Sequence, residues 1–142
     1  MNDLRIAGYA SVFGVPDSGG DMVMAGAFAG AGKSVPLLWQ HDTKEPIGFV
    51  ESMQEDRRGL RVVARVVASG RGEQAVQLLK AGALDGLSFG YRVKAAKPDR
   101  ATGVRRLERL DLIEVSLVTF PMQPLARVLG FSTLPEETLN DL

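Results

Sequence analysis

Cysteine is absent from the 142 residues, so the chain can form no disulfide, hold no metal through thiolates and use no cysteine nucleophile. Histidine occurs once, as His41, which rules out a multi-histidine zinc site. No apolar run approaches the roughly 18 residues that a membrane helix needs. The opening residues, Met1-Asn2-Asp3-Leu4-Arg5, lack the basic-then-apolar plan of a signal peptide. Net charge is missing too, because 17 Lys plus Arg balance 17 Asp plus Glu. That balance argues against gripping nucleic acid through its phosphates, which takes clustered excess cation, and leaves only a local patch open. The expectation is one soluble, intracellular domain with no metal, no cofactor, no membrane and no nucleic acid among its partners. Glycine, by contrast, is plentiful: 16 residues, against a usual share of about 7%. With 7 prolines it implies many turns, and hence many short strands.

Leu4, Ile6, Gly8, Ala10 and Val12 share one parity, the period-2 pattern of a half-buried strand. Residues 14–21 read as a long turn, Met22 to Ala31 as one or two helical turns, and Leu37 to His41 as a brief strand. Ile47 to Gln54 and Leu60 to Val67 flank Glu55-Asp56-Arg57-Arg58-Gly59 as a hairpin. Residues 72–81 change period, with Ala75, Val76 and Leu79 on one face and Gly82 placed as a C-terminal glycine, and predict one amphipathic helix. Leu87, Phe89, Tyr91 and Val93 alternate as a strand. Lys97 to Gly103 reads as an exposed loop and Arg106 to Thr119 as a long strand. The pattern predicts a β-rich α+β fold: a small, mostly antiparallel β-barrel of six to seven strands with a few surrounding helices. Residues 1–132 form the domain and 133–142 an acidic tail, either a short helix or disordered.

Ala27 to Ser34 ends like a phosphate-binding loop, Gly32-Lys33-Ser34, but Ala27 stands where the first glycine belongs. Pro36 also disfavours a helix starting at Val35. Nucleotide binding is therefore rejected.

Three side chains could carry chemistry. His41 is the one group whose ordinary pKa lies near neutrality, and it ends an apolar strand before a polar loop. Taken alone it reads as a surface histidine rather than a base. Ser88 lies in Asp85-Gly86-Leu87-Ser88-Phe89-Gly90-Tyr91, opposite in parity to large apolar neighbours and flanked on its own side by glycines. Those glycines leave space where another backbone could approach. The alternative is a solvent-facing serine beside a bulge. Glu114 is a carboxylate within the apolar Leu110 to Val118, costly to bury without a partner. A histidine N–H would suit it, as would Arg105, Arg106 or Arg109, and Asp111 competes for the role with the opposite parity. Together the three meet the needs of a nucleophile, a base and an orienting acid.

Several stretches then resemble one family in order along the chain. They are Gly8-Tyr9-Ala10-Ser11-Val12-Phe13, Gly20-Asp21 with Gly26-Ala27-Phe28, and Leu37-Leu38-Trp39-Gln40-His41-Asp42 with Ile47-Gly48. Gly86 to Tyr91 and Leu112 to Thr119 with Pro121 complete the set. From Gly8 to Ala126 the chain resembles the prohead (capsid-maturation) serine proteases of tailed phages, a group distantly related in fold to the herpesvirus assemblins. The resemblance implies a serine endopeptidase with His41 as base, Ser88 as nucleophile and Glu114 as third member. In the herpesvirus relatives a second histidine fills that last place, and this chain has none, so an acid serves or the set is a dyad. It further implies a capsid or scaffold precursor as substrate, the protease itself as another, self-association as an option, and a place inside the immature capsid in the bacterial host cytoplasm. Family members often carry a C-terminal extension, whereas this chain stops soon after residue 130; it is truncated, processed, or works without a tail. Residues 122–126 also differ from the family's usual small-residue and Asn run. A non-catalytic assembly module on the same fold, or an unrelated β-barrel binding domain, are the competing readings.

Overall fold

Alternation works as expected at the start of the chain. Leu4, Ile6, Gly8 and Ala10 are buried along β1 (Leu4–Val12), with Arg5, Ala7 and Tyr9 facing outward. The structure is a computed structural model and describes residues 1–30 and 34–135. β2 (Asp21–Val23) and β3 (Pro36–Trp39) are short, β4 (Asp42–Glu55) and β5 (Gly59–Val66) form the predicted hairpin, and α1 spans Arg71–Lys80. Gly82 follows it at φ 75°, where only glycine is unstrained. β6 (Gly86–Pro98), β7 (Arg105–Val118) and β8 (Val128–Thr133) complete the fold.

β7 is the hub. One edge takes β6 antiparallel along its whole length; the other takes β2 in parallel at its start and β3 in parallel at its end. From β3 the sheet continues antiparallel through β4, β5 and β1 to β8. Leu4, Ile6, Leu60, Leu87, Leu107, Leu117, Val50 and Val62 fill the interior. Ala75, Val76 and Leu79 of α1 are buried with them, the helix packing on β4 and β5.

The expected barrel of six to seven antiparallel strands with several helices is corrected here. Among the described residues there are eight strands in one open, mixed sheet and a single α-helix. β6 and β8, which would have to pair to close it, form no ladder; Gly86 makes only an isolated bridge to Arg127, just ahead of β8. The stretch that would extend the bridge along β6, residues 121–126, is bent and turned. Its Pro121 and Pro124 have no N–H to offer a ladder. The sheet stays open beside Ser88. β2 replaces the expected helical turns at Met22, because three residues carry no readable period and pairing with β7 decides them. β8 was not anticipated, since it is largely exposed on both faces and owes its extended form to β1. The expected 97–103 loop shrinks to a turn at residues 99–104, as β6 runs on to Pro98. At the other end Thr133 pairs with Leu4, and Leu134 N–H donates to Asp3 O. The rest of the expected tail, 136–142, lies outside the described residues, as do 31–33 of the rejected phosphate-loop stretch.

Leu117 is fully buried on β7, paired with Trp39 on one side and Leu87 on the other. Leu117→Ala should lower stability by about 2–5 kcal/mol, read as a lower urea midpoint with an unchanged denaturant slope.

Candidate active site

The site begins with a tight turn. Trp39 pairs with Asp42, leaving Gln40 and His41 as the two-residue connection between β3 and β4. Both have positive φ, 52° and 60°, the signature of the mirror-image hairpin turn that usually takes Asn-Gly. For residues with a Cβ this costs about 1–3 kcal/mol each, and it persists only where the surroundings compel it. Here the end of β7 does so. Gln40 N–H donates to Leu117 O at 2.8 Å, and His41 N–H donates to Ser116 Oγ at 3.1 Å. The Gln40 side chain donates to Thr119 Oγ1 at 2.7 Å and accepts from Thr119 N–H at 3.1 Å.

β6 and β7 supply the other two groups. Their register pairs Ser88 with Ser116 and Gly90 with Glu114, which puts all four on one face. His41 Nδ1 lies 2.5 Å from Glu114 Oε1, and Ser116 Oγ donates to Glu114 Oε2 at 2.6 Å. Both carboxylate oxygens are thus engaged, which is how a carboxylate 7% exposed can be kept buried. With Nδ1–H given to Glu114, Nε2 is the ring nitrogen left to take a proton. The hydrogen bond and charge of Glu114 outweigh burial and hold the His41 pKa above its ordinary 6.5. The imidazole is 43% exposed, so solvent screens the pair on one side.

Ser88 and His41 line one cavity, together with Ser11, Asp17, Asp21 and Tyr91. Their side chains are not hydrogen-bonded to each other; in substrate-free enzymes such contacts are often long and tighten on binding. Glu114 therefore faces His41 and not the arginines near it in sequence, while Asp111 pairs on the surface with Lys94 at 3.1 Å. The glycines beside Ser88 do something other than expected. The space at Gly90 is filled from within, since a Cβ there would stand 2.6 Å from Glu114 Oε1. At Gly86 the Val118 carbonyl and the Pro121 ring take the room.

Ser116 and Gln40 escaped the sequence reading. Ser116 was findable: residues two apart on a strand share a face, so an acid at 114 predicts a neighbour at 116. Gln40 was not, because its role depends on where β7 ends. Among the described residues no group of three or more His, Asp or Glu is gathered that could hold a metal ion. No described helix is long and apolar enough to cross a membrane.

The model of a family described as Caudovirus prohead serine protease matches residues 1–138. A prohead protease of Enterobacteria phage HK97 is 32% identical over 145 residues, covering 95% of this chain and 64% of that protein. A prohead protease of Escherichia phage T5 is 30% identical over 125 residues, covering 83% of this chain and 58% of that protein. The chain thus spans less than two thirds of the length of either relative. Among solved structures, the bacteriophage T4 capsid assembly protease matches with a TM-score of 0.62 at 16% identity, over 80% of each chain. A KSHV protease, solved with a hexapeptide phosphonate inhibitor, also reaches 0.62 at 12% identity, over 92% of this chain and 65% of that one. At such identities these two likenesses concern the fold alone.

A methyl group at position 90 would displace the flexible end of Glu114 rather than any backbone. Gly90→Ala should therefore stay folded while the His41 pKa falls back toward 6.5, as followed by NMR titration of its ring protons.

Proposed function

The chain belongs to the Caudovirus prohead serine protease family, and from that membership we propose that it is a serine endopeptidase of procapsid maturation. Its substrate is a capsid or scaffold precursor inside a phage-like immature particle in the host cytoplasm, with its own chain as a second substrate. One observation carries the reading: the sole imidazole of the chain is held by a buried carboxylate and shares a cavity wall with Ser88.

In this mechanism His41 Nε2 removes the Ser88 proton as Oγ attacks the peptide carbonyl. His41 then gives that proton to the leaving amine, and an ester to Ser88 remains. Water, deprotonated by the same nitrogen, hydrolyses the ester and returns Ser88 to its hydroxyl form. Glu114 keeps Nδ1 protonated and stabilises the imidazolium formed in each half-reaction. Ser116 and Gln40 are positioning residues. Ser116 bonds both Glu114 Oε2 and the His41 backbone, and Gln40 ties the strained turn to Thr119. These contacts hold the imidazole and its carboxylate in place before substrate arrives.

Purified protein incubated with its capsid precursor should cleave it, and Ser88→Ala or His41→Ala should abolish cleavage on a gel. Unimpaired processing by either variant would sink the assignment. If instead Ser88→Ala leaves particle assembly and maturation intact, the chain is an assembly module. The base must be neutral to act, and its pKa is raised, so the acid limb of kcat/KM should lie above pH 6.5. Glu114→Gln should move that limb to lower pH and cut kcat by roughly 10²–10⁴-fold.

A further inference from the structure

The cavity beside Ser88 contains a group that the catalytic reading does not use. A bulge in β1 between Tyr9 and Ser11 breaks the alternation, so Ser11 as well as Ala10 turns inward, opposite the buried Leu60. Ser11 is 0% exposed, its Oγ has no hydrogen-bond partner, and it lines the cavity shared by Ser88 and His41. A buried hydroxyl left without a partner is destabilising, and native proteins rarely keep one unless something completes it.

The other polar groups of the cavity indicate what that something is. Gln123 is fully used by the backbone of Val12 and Val15. Asp21 has both oxygens taken by Arg105, at 2.8 and 3.0 Å. Asp17 is different. Its Oδ1 accepts from Gly19 N–H and Asp21 N–H, while its second oxygen has no partner among the described residues. No Lys or Arg lines the cavity. The Tyr91 hydroxyl donates to Asp21 Oδ2 at 3.3 Å, and burial and then the charges of Asp21 and Asp17 hold its phenol above the usual range. The open positions are a carboxylate oxygen with no hydrogen-bond partner among the described residues and a hydroxyl, set among Val23, Leu87 and Phe89. An acidic side chain would be repelled there, and an apolar one would leave Ser11 unpaired. A long side chain with an apolar stem and a cationic N–H head answers both.

We propose that this cavity receives the substrate side chain on the acyl side of the scissile bond, and that Ser11 and Asp17 make it select lysine or arginine. The proposal rests on Ser88 being the nucleophile, and its test separates the two claims. Purified protein is treated with three aminoalkyl diphenyl phosphonates bearing a lysine-like, a glutamate-like or an alanine side chain, and labelling of Ser88 is timed by mass spectrometry. The lysine-like probe should react at least about tenfold faster than the alanine one, and the glutamate-like probe slowest. Asp17→Asn keeps the oxygen that holds the turn, and should lower the lysine-to-alanine ratio by about tenfold; Ser11→Ala should lower it by about threefold. In the unmodified protein the preference should shrink as salt rises, a readout that needs no variant to fold. Labelling by all three probes at similar rates, or fastest by the glutamate-like one, would overturn this inference and leave the nucleophile assignment standing. A Ser88 that reacts with none of them would overturn both.

Discussion

The contact between the His41 ring and the Glu114 carboxylate is the constraint around which this end of the molecule is arranged. A carboxylate in the middle of an apolar strand is tolerable only if its oxygens are bonded, and both are: one to the imidazole, the other to Ser116. The same contact orients the ring and raises its affinity for a proton. Remove the acid and His41 becomes an exposed histidine on a strained turn. Remove the histidine and a nearly buried charge keeps only one of its two partners. Each group accounts for the other's position.

That contact needs an unusual backbone, and the surrounding fold supplies it. Two residues with side chains hold left-handed conformations between β3 and β4, where glycine or asparagine would be easier. They are kept there because β3 runs parallel to the end of β7, which places the Leu117 carbonyl, the Ser116 hydroxyl and Thr119 against the turn. On the other edge of β7, β6 delivers Ser88 opposite Ser116. A single strand therefore aligns Ser88, Glu114 and His41. Beside it the sheet fails to close, and the stretch that would extend the Gly86↔Arg127 bridge along β6 carries prolines at 121 and 124.

Local pattern predicted the β4–β5 hairpin, the helix near 72–81, the alternating strand from Leu87 to Val93 and the long strand from Arg106 to Thr119 because each has a period or a turn signal within a few residues. It missed β2 and β8, whose extended form comes wholly from their partners. It also suggested a barrel, since counting strands does not reveal which edges meet. Among the site residues, His41, Ser88 and Glu114 stood out as a lone imidazole, a hydroxyl between glycines and an acid in an apolar run. The glycines were misjudged in a telling way. Parity was right in placing them on the Ser88 face, but what occupies the missing volume at Gly90 is the Glu114 carboxylate.

Which reactive groups the molecule owns was settled by its residue list: one imidazole, no thiol, a balanced charge and a strand acid that had to find a partner. Those are matters of composition and short-range periodicity, and they need no third dimension. Whether the groups meet is a different kind of fact. His41 and Glu114 are 73 positions apart, and a one-residue slip in the pairing of β7 with β3 or β6 would turn the acid to the other face. Register is a long-range property, decided by how whole strands bury their apolar sides. For that reason the fold alone selected Ser116, rather than a neighbouring arginine, to share the carboxylate with the histidine.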